Sequence, residues 1–191
     1  MSKTKNIDEE HCCDDQKLPI DKYLQIGDGW GRHLLAVGES PAGNWCKSGR
    51  AFFTTEGKVV PTGKNFLINL KQIDDNLDLE NITFTEISKC FLAANRKKLH
   101  SCASKTWPHF IEQLNYIQPK IIILLGKKTT EIFNILAETS LIVGQIQQIR
   151  LSDKSYFILP LYHPSPLNPK RVQNVEFIND NIKEIRKLME I

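Results

Sequence analysis

Ten residues near the carboxyl end, "PLYHPSPLNP" (160–169), hold four prolines and one histidine, His163. Proline fixes its own φ and keeps the residue before it extended. Pro164 and Pro166 therefore hold His163 and Ser165 in extended conformations, and the segment can be neither helix nor central strand. It is a loop of preset shape, which limits the entropy lost when a side chain must meet a ligand. A second loop, "VGESPAG" (37–43), offers the carboxylate of Glu39 and the hydroxyl of Ser40. Its glycines let backbone approach a ligand closely, and Pro41 stiffens it. Both loops follow apolar, strand-like runs. Either could be a plain turn that ends a strand. Together they offer a carboxylate and a histidine at strand ends, facing each other across a cleft as an acid/base or water-positioning pair.

The elements that must carry these loops can be read from hydrophobic period. "HLLAV" (33–37), "NITFTEIS" (81–88), "KIIILLG" (120–126) and "SYFILPLY" (155–162) read as strands, and the unbroken apolar run at 120–126 suits a strand buried on both faces. Helical spacing marks 61–73, 107–117, 127–138 and 175–191. Strands alternating with helices imply βαβ units. The expected fold is α/β: three layers, α/β/α, around a central, mostly parallel four-stranded sheet. Residues 1–17 form a polar lead-in and 18–191 a single domain. Ligands in such folds bind beyond the carboxyl ends of the strands. Three strands exit into "NRKK" (95–98), "KK" (127–128) and "PKR" (169–171), and the fourth reaches Lys47 and Arg50. One lysine is a solvated surface residue; four basic clusters on one edge read as a rim that tracks phosphates.

Composition narrows the class. Hydrophobic content of 41% and charged content of 25% are ordinary for a globular chain. Apolar runs fall short of a membrane span, and the first residues lack the apolar stretch of a secretory signal. A cytoplasmic protein without a membrane partner is expected. The net charge of +3 divides into −2 over residues 1–17 and +5 over the rest. Five cysteines in such a chain argue for free thiols or a metal site, not a disulfide framework.

The two loops resemble motifs of the uracil-DNA glycosylase superfamily. "GESPAG" is similar to its first-strand motif, and "HPSPL" (163–167) matches its second. "SGRAFF" (48–53) resembles the segment bearing the aromatic residue on which the base stacks. "ISKCFLAANR" (87–96) and "IQPKIIILLG" (117–126) resemble segments of the thermostable, iron–sulfur branch. The similarity runs from about Leu34 to Arg171.

This resemblance implies a role for each matching residue. The base is flipped out of the duplex. His163 hydrogen-bonds a base oxygen as negative charge builds, an oxyanion-type stabilisation. Glu39 or Ser40 holds the attacking water, Glu39 being the stronger candidate. Phe52, or its neighbour Phe53, stacks on the base, and the "GESPAG" backbone around Ala42 meets it. Ser165 bonds a phosphate and Leu167 is an apolar wedge. Lys97, Lys98, Lys127, Lys170 and Arg171 belong to the phosphate rim. Glu86 stands where the iron–sulfur branch carries an asparagine that reads the base edge. An ionised Glu86 could accept from N3–H of uracil but would repel O4. A protonated Glu86 would match both, and burial is what could keep it protonated. A salt bridge to Lys89 at a strand end is the plainer alternative. His11, His33, His100 and His109 read as structural.

The same resemblance implies a structural iron–sulfur cluster on Cys12, Cys13, Cys90 and Cys102. The N-terminal pair is adjacent here, not C-x-x-C, which suits two irons of one cluster poorly. Free thiols are the expectation, with the cluster as the alternative and no cofactor needed for the chemistry. The function implied is a monomeric DNA glycosylase acting on uracil or a related deaminated base. A non-catalytic nucleic-acid-binding module on the same fold, or a nucleoside- or nucleotide-processing enzyme, are the alternatives.

Overall fold

The structure is a computed structural model that describes residues 18–92, 96–151 and 153–190. The expected lead-in at 1–17 lies outside them. The sheet contains β1 (Leu24–Gln25), β2 (Leu34–Gly38), β3 (Thr83–Glu86), β4 (Ile121–Leu125), β5 (Gln147–Leu151) and β6 (Lys154–Leu161). Its order is β1-β3-β2-β4-β6-β5. The inner four strands are parallel, and they are the four expected from sequence. The four-stranded expectation is nonetheless corrected to six, because β1 and β5 add antiparallel edges. The first is only two residues long. The other reads "QQIRL", an edge sequence too polar to stand out as a strand.

Helices α1 (Gly43–Ser48), α2 (Pro61–Ile73), α3 (Leu99–Ile117), α4 (Lys127–Leu136) and α5 (Gln173–Met189) complete the fold. Alternate residues of each strand point to opposite faces, and the core divides accordingly. Leu34, Ala36, Ile121 and Ile123 pack with Phe66 and Leu70 of α2 and Ile178 and Ile185 of α5. Leu35, Val37, Ile122 and Leu124 pack with Phe110 and Leu114 of α3 and Ile132 and Phe133 of α4. This is the expected three-layer arrangement. Pro61 opens α2, where its missing N–H costs no hydrogen bond. By contrast α3 begins at Leu99, well before Trp107, and carries Pro108 inside it. The helix expected over 107–117 therefore starts eight residues earlier. Leu99, Cys102, Ala103 and Thr106 extend the buried stripe toward the N-terminus. Lysine and serine interleaved with them hide it in the sequence.

In register, Gly38 at the end of β2 pairs with Glu86 at the end of β3, and Leu125 at the end of β4 with Leu161 of β6. All four parallel strands thus discharge their loops on one edge.

Candidate active site

Beyond that edge opens a cleft of about 760 Å³. Seven of the residues singled out from sequence line it: Glu39, Ser40, Ala42, Phe52, Glu86, His163 and Ser165. They come from the ends of β2, β3 and β6 and from the segment after α1. Leu167, Lys97, Lys98, Lys127, Lys170 and Arg171 do not line it. Each is a near neighbour in the chain of a residue that does: Ser165, Arg96 or Lys128.

His163 is held by its surroundings rather than by a partner of its own class. The loop before it is fixed by Asn174, buried on α5, which accepts from Tyr162 N–H at 2.8 Å and donates to Tyr162 C=O at 2.8 Å. Asn65 on α2 donates to the Pro164 carbonyl at 2.8 Å, and Asn168 donates to the His163 carbonyl at 3.0 Å. The Ser165 N–H donates to His163 Nδ1 at 3.2 Å. A nitrogen that accepts carries no proton, so in the neutral ring the proton sits on Nε2. The ring borders the open cleft and is exposed there, yet the cleft walls desolvate it. That desolvation lowers its pKa, partly offset by the Glu39 carboxylate. Gly126, at φ +115°, lets β4 turn into α4 beneath it; a β-carbon there would lie 3.3 Å from His163 Cβ.

Glu39 pairs with Arg96, whose guanidinium also reaches Ser40 Oγ at 3.4 Å. Glu39 thus lines the cleft and is salt-bridged at the same time. Arg96 also lines the cleft; from sequence it stood in a basic run and at the end of "ISKCFLAANR", with no role of its own. Phe52 takes the cleft position while Phe53 is buried in the core. The Phe52 backbone is left-handed, at φ 67°. A non-glycine residue held there stores strain, a feature that clusters at functional sites. Its ring is wedged edge-on to Phe84 at 4.7 Å and tilted against Phe66 at 5.5 Å.

Glu86 is almost fully buried, and its Oε2 makes no hydrogen bond among the described residues. The salt bridge to Lys89 considered from sequence is not formed. The Lys89 ammonium, wholly buried, donates instead to Thr85 Oγ1 at 2.6 Å and to the main-chain carbonyl of Glu86. Desolvation pushes Glu86 up to about 8, against the pull of Lys89. The same cause brings Lys89 down to about 7. Nor does β3 lie at the sheet edge, since β1 covers it. A β-carbon on Gly38 would collide with Glu86 Oε2, so the glycine ending β2 is what leaves room for that carboxyl.

Lys97, Lys98, Lys127 and Lys170 are exposed. Lys127 and Lys128 share Glu131, at 3.9 and 3.4 Å. The Lys170 ammonium lies 5.4 Å from the Tyr162 ring centroid, and Arg171 donates to the Asn168 carbonyl at 3.1 Å. Leu167 is 93% exposed. An isolated leucine so fully in water contributes nothing to the core.

Cys12 and Cys13 lie outside the described residues. Cys90 and Cys102 are both buried in the core beside α3. Cys90 is disulfide-bonded, which corrects the free thiol expected for it: compartment and composition constrain cysteines as a set and say nothing of which sulfurs the fold brings together. Half-buried Cys46 places its Sγ 3.5 Å from the Tyr23 hydroxyl. Among the described residues no three His, Cys, Asp or Glu side chains converge to hold a metal. Those residues alone do not fit an iron–sulfur cluster, and no step below runs through one. Also among them, no helix is long and apolar enough to cross a membrane.

Comparison with known proteins converges on the same cleft-bearing region. Residues 26–186 match the family model described as the uracil DNA glycosylase superfamily. A protein named type-4 uracil-DNA glycosylase from Sulfurisphaera tokodaii is 26% identical over 170 residues, covering 85% of this chain and 73% of its own. Proteins of the same name from Archaeoglobus fulgidus and Saccharolobus solfataricus are 24% and 25% identical, covering 81% and 83% of this chain and 76% and 73% of theirs.

Proposed function

The chain belongs to the uracil DNA glycosylase superfamily, and from that membership we propose that it hydrolyses the N-glycosidic bond of uracil or a related deaminated base in DNA. The observation that carries this reading is the meeting of His163 and Glu39 in one cleft, with the free Nε2–H of His163 available to a ligand.

The chemistry needs no group beyond the chain and water. The C1′–N bond breaks with its electron pair left on the base. His163 Nε2–H donates to a base oxygen as charge gathers there, a bond that strengthens toward the transition state. Glu39 holds a water on the other side of C1′, with Ser40 beside it. The water oxygen bonds C1′ and its proton passes to the carboxylate and then to solvent. Phe52 supports the flipped base by stacking, worth about 1–3 kcal/mol per base, and Ala42 borders the same space. Leu167 fills the gap left in the duplex, Ser165 contacts a phosphate, and Lys97, Lys98, Lys127, Lys170 and Arg171 grip the backbone.

The relatives' shared name supports uracil as the first base to test. Labelled oligonucleotides carrying U, hypoxanthine, xanthine or T, incubated with the protein and treated with alkali, should break at U or another deaminated base. Intact strands throughout, with DNA still bound, would favour a binding module that has lost hydrolysis.

A further inference from the structure

The backbone of the Glu39 loop and the Glu39 side chain are held by different groups. Just beyond β3, Ile87 N–H donates to the Gly38 carbonyl at 2.9 Å and Ser88 N–H to the Glu39 carbonyl at 3.2 Å. These bonds fix the main chain and leave the direction of the carboxylate open. A glutamate side chain turns about several single bonds, and holding it in one rotamer costs entropy. Arg96 is what holds it: one guanidinium nitrogen, Nη1, donates to Glu39 Oε1 and lies 3.4 Å from Ser40 Oγ. Lys128, also in the cleft lining, pairs with Glu131 at 3.4 Å instead. Of the basic run 96–98, Arg96 alone lines the cleft.

Resting on the glycosylase reading, we propose that Arg96 is a positioning residue for the attacking water: it locks the Glu39 carboxylate and the Ser40 hydroxyl in one arrangement and acts on the reaction through Glu39, not through a DNA phosphate. A planar guanidinium suits this task. Its donors leave in fixed directions, whereas a lysine ammonium is a point charge on a mobile stem. With Oε1 taken by the guanidinium, Oε2 is the oxygen left to the water. A misplacement of about 1 Å can cost a reaction about 100-fold, so the tie acts on the rate more than on binding.

Arg96 also balances the charge that His163 feels. The titratable and charged groups that line the cleft with His163 are Glu39 beyond β2, Glu86 at the end of β3, Arg96 ahead of α3 and Lys128 at the start of α4. Burial is the largest influence on the His163 pKa and lowers it; Glu39 raises it and Arg96 lowers it. Glu86, pushed up to about 8 by burial, keeps its proton across the acid range in which a histidine titrates. Removing the guanidinium leaves Glu39 unopposed, so the His163 pKa rises. A residue that merely braced the loop would not move that titration.

Two measurements test this. Single-turnover uracil excision by Arg96→Gln should fall about 100-fold, while affinity for an uncleavable duplex and the slope of log K against log salt stay at wild-type values. Arg96→Gln added to Glu39→Gln should cost nothing further, since the arginine acts through Glu39. Nitrogen-15 NMR of the histidine rings in the intact protein, assigned with His163→Ala, should show His163 titrating at higher pH in Arg96→Gln than in the wild type. In Glu39→Gln/Arg96→Gln it should titrate no higher than in the wild type. Arg96→Lys keeps the charge without the fork, so it should restore the His163 titration but not the rate. Weaker DNA binding with a shallower salt slope would make Arg96 a phosphate contact and overturn the proposal. So would a wild-type rate in Arg96→Gln or Arg96→Lys, losses that multiply in the double variant, or a His163 titration unmoved in Arg96→Gln. A wild type that releases no base at any pH overturns the glycosylase reading instead, and the His163 titration then decides the tie between Arg96 and Glu39 by itself.

Discussion

Replacing His163 by alanine isolates one hydrogen bond, because the loop around it is fixed by groups that the substitution leaves in place. Asn174 still clamps Tyr162, Asn65 still holds the Pro164 carbonyl, and Asn168 still holds the His163 carbonyl. The internal loss is the Ser165 N–H bond to Nδ1, and that N–H can turn to water, so folding should suffer by under about 1 kcal/mol. Catalysis should suffer far more. Removing one oxyanion donor costs about 100- to 1,000-fold in kcat, or roughly 2.7–4 kcal/mol. The bond gains strength only as charge develops, so DNA affinity should move little. Single-turnover excision from a uracil-containing duplex measures the first quantity, and fluorescence anisotropy with an uncleavable analogue the second. The pH profile adds a check on charge state. Burial lowers the pKa of His163, so the neutral form, whose Nδ1 accepts from Ser165 N–H, predominates at pH 7. It is lost only as pH falls below the usual histidine value of about 6.5. An alanine variant within about tenfold of wild type would refute the argument, as would a rate that climbs on acidification below pH 6.

Other consequences follow from the rim, the exposed leucine and the buried charges. Lys97→Ala/Lys98→Ala should weaken DNA binding alike for every sequence and reduce the slope of log K against log salt by about 0.9 per lost phosphate contact; an unchanged slope removes these lysines from the interface. Leu167→Ala should leave urea stability within about 0.5 kcal/mol of wild type while lowering excision from duplex more than from single strands, since only the duplex has a stack to open; equal losses on both would argue against a wedge. For stability, the folded pKa of Glu86 lies above its unfolded value of about 4.3, so its contribution is lost as pH rises toward about 8. Lys89 is depressed to about 7 from about 10.4, so stability returns as pH rises through that window. A minimum between pH 7 and 8 is expected in urea midpoints. Glu86→Leu/Lys89→Met should remove it and add about 1–4 kcal/mol at pH 7; a double variant less stable than wild type would contradict this.

The residues legible in the sequence were those that local punctuation exposes. Prolines at 160, 164, 166 and 169 mark the His163 loop without any tertiary knowledge, and glycines bracket Glu39 and Ser40. Three of the four parallel strands were legible as apolar runs, which burial on both faces favours; β3, reading TFTE, showed only a looser alternation. Long-range partners were not. Asn65 meets Pro164 across 99 residues, and an asparagine on an amphipathic helix looks like solvent-facing polar surface. Arg96 was hidden by Lys97 and Lys98 beside it, which makes one basic run of three residues with different surroundings. Lys89 defeats composition altogether: lysine is almost never fully buried, yet here it is. Phe52 and Phe53 could not be told apart because both are aromatic; in the fold Phe52 lines the cleft and Phe53 is buried in the core.

On the proposed reading, the Glu39–Arg96 pair sets the sign of the field at C1′. An oxocarbenium-like centre needs negative charge nearby, and a carboxylate neutralised by a guanidinium would supply little. The two partners are not equally screened, however. The Glu39 side chain is 23% exposed and that of Arg96 61%. Water reduces the field of an exposed charge far more than that of a sheltered one, so the cleft interior feels Glu39 more strongly than its partner. Arg96 meets the carboxylate through Oε1, which on the proposed reading leaves Oε2 for the attacking water. The pull of Glu39 on His163 has the same origin: it raises the histidine pKa, and Arg96 opposes it less. A cleft with net negative character at its Glu39 wall and neutral donors at its His163 wall is polarised along the direction in which charge separates when a glycosidic bond breaks. In the proposed reaction this arrangement would stabilise the separating charges without holding the intact base any tighter.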